Sequence, residues 1–238
     1  MNIRTACLSN QGGRSCNDDT AAVFQNDGCV RVFVGDGLGG YAGGQQASQA
    51  AARALEEEAR RGSLLTDQRL TEAAAQANQA VRRLQEESHG RMKTTLVFLT
   101  IEDSRARWMH IGDSRLYHFQ NGALVRQTMD HSVSQMAVLM GEITLAEIRF
   151  HEDRNRVLRA LGAENWKPDL SPTIMLTGGV DAFLLCTDGF WEYVMEEEME
   201  KALQNAKDPR QWLKTIEKIL RSRVTGENDN YTAAAVFC

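Results

Sequence analysis

Two consecutive amphipathic helices, set between groups of short β-strands, restrict the fold of this chain more than any other feature of the sequence. The first helix is predicted over residues 45–61, with small apolar residues along one face. The second is predicted to begin at the N-cap Thr66 and to end at Gly90, with apolar residues at three- and four-residue steps. Because the connection between them is short, the two helices should pack antiparallel against an apolar layer.

Short β-strands are predicted on both sides of this helical pair. They cover residues 3–8, 21–24, 30–34, 94–101, 107–111, 116–119, 124–128, 183–186 and 231–237. Asn121-Gly122 is a strong hairpin-turn signal between two of them. Further helices are predicted over residues 133–140, after the capping box Thr144-x-x-Glu147, and from Asp208-Pro209 to Leu220. Since strands often follow one another directly, the order predicts an α+β fold of two sheets with helices outside.

Length and composition are typical of one globular domain over residues 1–238. Three prolines, with no low-complexity run and no repeat, leave little room for a linker. A formal net charge of −5 disfavours nucleic acid or an anionic membrane as the main partner. No apolar run approaches the roughly 20 residues that span a bilayer, and the first residues do not form a signal peptide. We therefore expect a cytoplasmic monomer with no membrane insertion and no nucleic-acid partner.

Aspartates stand where several predicted strands end or turn. The set comprises Asp18, Asp19, Asp36, Asp113, Asp188 and Asp229. A single Asp-Gly is usually a turn, but aspartates that follow several apolar strands emerge at the rim of a sheet and can converge on one spot. Crowded carboxylates raise one another's pKa unless cations neutralise them. Oxygen-only ligands suit hard cations, Mg²⁺ or Mn²⁺, rather than zinc.

The glycine cluster over residues 35–44 has two interpretations. Its first part satisfies the dinucleotide-binding pattern G-x-G-x-x-G, after a strand and before a helix. However, the next acidic residues, glutamates 56–58, lie inside a predicted helix and not after a second strand, and βαβ repetition is missing. We therefore interpret the glycines as bringing main-chain carbonyls and Asp36 close to metal ions.

Several motifs that mark enzymes of phosphate chemistry are missing from the sequence. The chain has no C-x₅-R, no G-K-[ST] and no D-x-D, which disfavours a thiol phosphatase, a P-loop and an aspartyl-phosphate mechanism. Five histidines without metal-ligand spacing are expected to be surface or hydrogen-bonding residues. They are His89, His110, His118, His131 and His151.

Eight short motifs follow one another along nearly the whole chain. They are RSCNDD (14–19), VGDGLGG (34–40), TT (94–95), GDSRLY (112–117), TMDHS (128–132), RALG (159–162), LLCTDG (184–189) and DNYT (229–232). Each motif is weak alone, but the ordered series is specific. It resembles the metal-dependent protein phosphatase family (PPM, the phosphatase 2C type) in its compact bacterial form.

The resemblance implies a central antiparallel β-sandwich flanked by helix pairs, a four-layer α-β-β-α fold, with two or three Mg²⁺ or Mn²⁺ ions at one end. Asp36 would bridge two cations, and Gly37 would ligate the second through its carbonyl. Asp188 and Asp229 would complete the first cation's ligands. Asp113 would help Asp188 to bind a weaker third ion.

Three further residues receive catalytic roles from the resemblance. Asp18 and Asp19 would hold waters around the metals, and Arg14 would bind the substrate phosphate through its guanidinium fork. Asp18 replaces the glutamate usual in the family. Leu38 stands where some relatives have histidine, a candidate proton donor to the leaving group.

The implied activity is hydrolysis of phosphoserine and phosphothreonine in proteins, by in-line attack of a water between two cations. Such an enzyme would oppose a bacterial serine/threonine kinase, one that controls a secretion or envelope system, and would act on its targets. The segment between residues 131 and 161 would form a flap beside the site. Its apolar residues Val133, Met136, Val138 and Met140 are expected in the core, and the acidic run 196–200 on a solvated helix face.

Two other functions stay open at this point. A binuclear metallophosphoesterase of another fold would need histidine and asparagine ligands such as N-H-E, which the chain lacks. A non-catalytic phosphoprotein-binding module on the same fold is the main alternative. Intact Asp36, Asp188 and Asp229 argue against it.

Overall fold

The computed structural model describes residues 2–26, 28–39 and 43–238; Gly40, the last glycine of the VGDGLGG motif, lies outside them. The strands are β1 (Arg4–Asn10), β2 (Thr20–Asn26), β3 (Cys29–Gly35), β4 (Gly37–Leu38), β5 (Lys93–Thr94), β6 (Leu96–Glu102), β7 (Arg105–Ile111), β8 (Arg115–Gln120), β9 (Ala123–Gln127), β10 (Asp169–Leu170), β11 (Ile174–Met175), β12 (Asp181–Cys186) and β13 (Tyr231–Phe237). The helices are α1 (Gly43–Arg60), α2 (Asp67–Ser88), α3 (Val133–Leu139), α4 (Asp188–Trp191), α5 (Glu196–Gln204) and α6 (Pro209–Arg223), with a 3₁₀ helix at Leu145–Phe150.

Two antiparallel sheets form the centre of the molecule. One has the strand order β1-β13-β12-β8-β9, and the other has β10-β7-β6-β3-β2 with β11 also on β7. Helices α1 and α2 pack in one apolar cluster with the second sheet, while α4, α5 and α6 pack in another with the first sheet. A third cluster fills the space between the sheets. The predicted α+β sandwich with helices on both outer faces is therefore confirmed.

The central strands are buried on both faces, which explains why their sequences are apolar without alternation. In β3, Phe33 points to the α1–α2 layer, whereas Val32 and Val34 point to the other sheet. In β12, Leu184 faces the α5–α6 layer and Phe183 faces the opposite sheet. Successive side chains alternate between two apolar layers. Because the strands pack on both faces, the positions of their ends are defined.

The helix pair that was predicted first is present with almost the expected limits. Thr66 caps α2, because its side chain accepts a hydrogen bond from the main-chain N–H of Arg69 at 3.2 Å. The left-handed residue after α2 is His89, with φ 51°, rather than Gly90. The facing surfaces are lined by alanines, and each helix also contributes a buried leucine, Leu55 or Leu70.

Three details differ from the sequence predictions. The capping box at Thr144 and Glu147 opens a 3₁₀ helix, not an α-helix. The strand predicted over 94–101 is divided at Thr95, because Asp36 and Thr95 hydrogen-bond through backbone and side chain. Met136 and Met140 are 42% and 67% exposed, so the expectation that they lie in the core is wrong. Helix α3 is only seven residues long and buries one narrow face.

The acidic run at the start of α5 is also more than a solvated face. Glu196 pairs with the buried Arg149 at 2.7 Å, and Glu198 pairs with Arg223 at 2.6 Å. The carboxylate of Glu200 accepts a hydrogen bond from the main-chain N–H of Leu124 at 2.6 Å. These glutamates attach α5 to its neighbours.

A buried arginine joins the GDSRLY and TMDHS motifs to α4. Arg115 and Asp130 are each 1% exposed, and the guanidinium donates to both carboxylate oxygens at 2.8 and 2.7 Å. The same guanidinium lies 3.5 Å from the centre of the Trp191 ring. The indole N–H of Trp191 donates to the carbonyl of Asp113 at 2.9 Å. This network fixes the loop that carries Asp113.

We predict that Asp130→Ala lowers the free energy of unfolding by about 3–5 kcal/mol, because it leaves the Arg115 guanidinium buried without its counter-charge. Urea denaturation at pH 7 measures this. The control is Glu56→Ala, which removes an exposed ion pair with Arg60 and should change stability by less than about 1 kcal/mol. Equal effects of the two substitutions would contradict the role given to the buried pair.

Candidate metal centre

All the predicted site aspartates lie at one end of the sandwich. Asp36 directly follows β3, and Asp113 follows β7. In the other sheet, Asp188 follows β12 by two residues, and Asp229 precedes β13 by two. The registers place these ends together, since Val34 pairs with Val97, Leu96 with Ile111, and Cys186 with Ala233. Asp18 and Asp19 enter the same end just before β2.

The carboxylates of this cluster strongly affect one another. Burial raises the pKa of Asp36 well above its usual value, and the charges of Asp188, Asp19, Asp113 and Asp229 raise it further. Burial likewise raises the pKa of Asp188, with the charge of Asp113 as the next cause. Four carboxylates facing Asp36 thus make a strongly negative site that favours protons or cations.

Two members of the cluster titrate near neutral pH. Burial raises the pKa of Asp19 to about 6, although the hydroxyl of Thr187 partly offsets this by donating to its Oδ2 at 2.8 Å. Burial and the neighbouring charge of Asp130 raise the pKa of Asp113 to about 7. Both side chains are buried deeper than those of Asp36 and Asp188, which keep some contact with solvent.

The donor set fits hard divalent cations. Oδ1 of Asp19 and Oδ1 of Asp113 are buried without a hydrogen-bond partner among the described residues. Such oxygens are costly to bury unless a ligand satisfies them. Gly37 lies so close to α1 that a Cβ there would sit 2.2 Å from the carbonyl oxygen of Gly44. Gly37 also lines the pocket beside Asp18, Asp36 and Asp229, so carboxylates and main chain, the oxygen donors that Mg²⁺ and Mn²⁺ prefer, lie together.

Asp18 contacts the start of helix α1. Its Oδ1 accepts from the main-chain N–H of Gln45 at 3.2 Å, and its carbonyl accepts from the hydroxyl of Ser48 at 2.7 Å. Its main-chain N–H donates to the side chain of Asn230 at 2.8 Å. The Asp18 side chain is thus held at the wall of the site.

Arg14 lies beside the cluster and pairs with one of its members. Its guanidinium donates to both carboxylate oxygens of Asp229, at 2.9 and 2.8 Å. This hydrogen bonding raises the pKa of Arg14. Both side chains are about half exposed, at 57% and 44%, so the pair is a weak restraint. The remaining aspartate, Asp188, accepts at Oδ1 from the N–H of Gly189 at 2.7 Å.

An open pocket of about 350 Å³ lies above the cluster. Its lining includes Arg14, Asp18, Asp36, Leu38 and Asp229. Another pocket, of about 420 Å³, is lined by residues that include Asp181 of β12 and Phe237 of β13, and has one carboxylate side chain in its lining. The candidate site therefore differs from the other pocket in the number of carboxylates in its lining and not in its volume.

Two of the histidines form a separate hydrogen-bonded cluster with Asp169, and the potential ligand atoms of these three residues lie within 4.8 Å of one another. Nε2 of His110 donates to the carbonyl of Met129 at 2.8 Å. Nδ1 of His131 accepts from the N–H of Gly112 at 3.1 Å, and its Nε2 faces Asp169 at 3.2 Å. Burial lowers the pKa of His110 to about 4. The hydrogen-bonding role predicted for these two histidines agrees with these contacts.

Sequence reasoning did not assign two residues that shape the site. Asn230 donates to the carbonyls of Gln11 and Cys16, at 2.7 and 2.8 Å, and so holds the loop that carries Arg14. Thr187 links Asp19 to β13, since its hydroxyl also accepts from the N–H of Thr232 at 3.0 Å. Asn230 lies in the DNYT motif, directly after Asp229, and Thr187 lies in the LLCTDG motif, directly before Asp188.

Comparison with known proteins gives consistent results. The family model described as Protein phosphatase 2C matches residues 9–228. The serine/threonine phosphatase stp of Listeria monocytogenes serotype 4b is 33% identical over 231 residues, which cover 94% of this chain and 90% of the relative.

Solved structures agree with that match. The crystal structure of the Mycobacterium tuberculosis serine/threonine phosphatase PstP/Ppp has a TM-score of 0.83 at 32% identity, covering 99% of this chain and 98% of that one. A PstP catalytic domain in complex with two manganese ions has a TM-score of 0.82 at 31% identity, covering 99% and 97%. PppA of Pseudomonas aeruginosa, described as a key regulatory component of T6SS, has a TM-score of 0.78 at 28% identity, covering 100% and 98%.

We predict that Asp113→Asn reduces the pH dependence of stability measured in EDTA. A carboxyl whose pKa is raised on folding destabilises the folded chain when ionised. Its contribution is therefore favourable at low pH and is lost as pH rises through the folded value, about 7 for Asp113. Between about pH 5.5 and pH 8, wild type should lose at least about 1 kcal/mol more unfolding free energy than Asp113→Asn. Identical pH profiles in urea denaturation would contradict the electrostatic description.

Proposed function

This chain belongs to the protein phosphatase 2C family, and from that membership we propose that it hydrolyses phosphoserine and phosphothreonine in proteins at the aspartate cluster. The observation that carries the proposal is the convergence of Asp36, Asp188 and Asp229 from three strand ends, with Arg14 beside them. A binding module would not need buried carboxylates that repel one another so strongly.

The family is metal-dependent, and the related PstP catalytic domain binds two manganese ions. In our proposal Asp36 would be shared by two ions, Asp188 and Asp229 would complete the ligands of the first, and the carbonyl of Gly37 would help to hold the second. Asp113 and Asp188 would hold a third, weaker ion. When bound, divalent cations offset the charge of the phosphate and make water nucleophilic near neutral pH.

The unpartnered oxygens of Asp19 and Asp113 support this assignment, because each can accept a hydrogen bond from a water of the ions' hydration. Thr187 orients Asp19, and the Arg115–Trp191 network orients Asp113. Both carboxylates are therefore held by groups that do not themselves reach the pocket. Asp18 contributes a third acceptor at its wall.

Arg14 is the proposed phosphate-binding residue. Its guanidinium holds two carboxylate oxygens of Asp229 in the fork geometry that also fits two phosphate oxygens. When Asp229 binds a cation and Arg14 binds phosphate, the exposed pair between them separates. Each group then has a partner of opposite charge, and breaking a pair of this exposure costs only about 0–1 kcal/mol. Leu38 adds apolar surface to the pocket and cannot protonate the leaving group.

We also propose the wider setting. Residues 1–238 form one catalytic domain that acts as a monomer, opposes a bacterial serine/threonine kinase and acts on that kinase's targets. The relative PppA is described as a regulator of T6SS, which supports the hypothesis of a kinase that controls a secretion or envelope system. Every helix in the described part of the chain is too short or too polar to span a bilayer.

We predict that Mn²⁺ or Mg²⁺ supports hydrolysis of a phosphothreonine peptide, that EDTA abolishes it, and that Asp188→Asn lowers kcat/KM by at least about 100-fold, because a single charged ligand is lost. Phosphate release measures the rate. The control is Asp103→Asn, which changes an exposed carboxylate between β6 and β7 whose partner Arg105 is also exposed. A folded wild type with no activity in either metal would favour the non-catalytic phosphoprotein-binding alternative.

We predict that Arg14→Ala raises KM for the phosphopeptide by about 10- to 100-fold. The substitution removes a charge-assisted hydrogen bond to phosphate, and such a bond contributes about 1.5–3 kcal/mol. Arg14→Lys should recover part of this loss, because it restores the charge but not the fork. Steady-state kinetics with saturating metal separates KM from kcat. An unchanged KM in Arg14→Ala would show that phosphate binds elsewhere.

The cellular prediction is that deleting the gene raises the phosphorylation of particular serine or threonine sites. Quantitative phosphoproteomics of the deletion strain measures it, and complementation with Asp188→Asn is the control that should fail to reverse the change. If no serine or threonine site rises, the proposed opposition to a kinase is wrong.

A further inference from the structure

A second groove opens beside the aspartate cluster. It has a volume of about 470 Å³ and is bounded by β4, β5 and the segment 155–163. Leu38 and Gly39 line both this groove and the pocket above the cluster. The two depressions are therefore neighbours across a single short strand.

The groove is strongly basic. The lining contains four cationic side chains and no carboxylate side chain; the cations are Arg91, Lys93, Arg156 and Arg159. Arg156 pairs with Asp153 at 3.1 Å, and Arg159 pairs with Asp169 at 2.8 Å. In the part of the chain that the structure describes, Arg91 and Lys93 have no carboxylate within ion-pair distance, and both are exposed.

This excess of positive charge stands out on a chain whose formal net charge is −5. Some exposed arginines elsewhere form ion pairs, as Arg60 does with Glu56 and Arg223 with Glu198. Two unpaired cations beside two weakly paired ones make a site of positive potential, which attracts anions from solution. The neighbouring pocket is lined with carboxylates, so the groove and the pocket are opposite in charge.

The distance between the groove and the cluster can be bounded from strand geometry. Leu38 pairs with Lys93 across the β4–β5 ladder, where paired Cα atoms are about 4.5–5.5 Å apart. Leu38 is two residues from Asp36, which is about 6.6 Å along a strand. Lys93 therefore lies within about 12 Å of Asp36, the length of three or four residues of an extended peptide.

We propose that this groove binds anionic side chains that flank the phosphorylated residue of the substrate. The proposal rests on the proposed phosphatase function and names its substrate class: phosphoproteins with acidic or further phosphorylated residues within about four positions of the residue that is hydrolysed. Arg91 and Lys93 contact these anions directly. Arg156 and Arg159 add charge from the flap side of the groove.

The chemistry at the groove is recognition of negative charge, from either a carboxylate or a phosphate. An ammonium group binds both as a point charge, whereas guanidinium forks favour bidentate phosphate or carboxylate contacts. A second phosphate carries nearly two charges at neutral pH and should bind more tightly than one glutamate. Separate peptides therefore distinguish the two sources.

The experiment compares three phosphothreonine peptides of equal length, in Mn²⁺ at low salt. One is neutral around the phosphothreonine, one has glutamates within four positions on both sides, and one has phosphoserines there. The expected kcat/KM on the glutamate peptide is about fivefold above that on the neutral peptide, the effect of two exposed ion pairs. The kcat/KM on the phosphoserine peptide should be higher still. Only the phosphate that is removed from the phosphothreonine is counted. Both preferences should shrink as salt rises, because the groove is exposed.

The test variant is Arg91→Ala with Lys93→Ala, for which the ratio of acidic to neutral kcat/KM should fall to about twofold or less. The matched control is Lys214→Ala with Lys218→Ala, which removes two exposed cations of α6, a helix of the other outer layer, and should keep the wild-type ratio. The charge reversal Lys93→Glu should prefer the neutral peptide. Circular dichroism and the release of phosphate from p-nitrophenyl phosphate show that each variant is folded and active.

Four outcomes are informative. Loss of preference in the groove variant alone supports the proposal. Equal kcat/KM on all three peptides with wild type active overturns it and leaves the proposed phosphatase function intact. Equal loss of preference in both double variants also overturns it, because overall charge rather than the groove would then attract acidic peptides. No activity on any substrate would instead count against the phosphatase function itself.

Discussion

Mutual repulsion among carboxylates at one end of the sandwich is the constraint on which the rest of this structure depends. Asp36, Asp188, Asp113 and Asp19 all have raised pKa values, with burial as the first cause; neighbouring charges are the next cause for Asp36, Asp188 and Asp113. A flexible chain would relieve this repulsion by moving them apart. Here strands buried on both faces hold the carboxylates in place, so the site keeps a strong attraction for cations.

The supports around the carboxylates are themselves polar and buried. Arg115 balances Asp130 and stacks on Trp191, whose indole holds the carbonyl of Asp113. Thr187 holds Asp19 by donating a hydrogen bond to its carboxylate. Such networks are expensive unless all their members are satisfied, and Asp19 and Asp113 each keep one buried oxygen without a partner among the described residues. At these two carboxylates a ligand can offset the polar cost.

Charge changes sign over a short distance on this face. The aspartate cluster is negative, Arg14 stands at its edge, and the groove containing Arg91 and Lys93 is positive. A phosphorylated segment has the complementary order when acidic residues accompany its phosphate, since the phosphate interacts with cations at the cluster and the flanking anions with the groove. Recognition and hydrolysis would then use different charges on adjacent surfaces.

The sequence alone determined the α+β class, most helix and strand limits, and the set of aspartates that meet at the site. These follow from local patterns: apolar runs, caps such as Thr66, and acidic residues directly after strands. Only the tertiary structure decided the exposure of Met136, the contacts of Glu196, the pairing of Arg14 with Asp229, and the groove beside β5. Each depends on contacts between residues far apart in the chain. Periodicity and spacing report the conformation of a segment, whereas burial and charge balance depend on what packs against it.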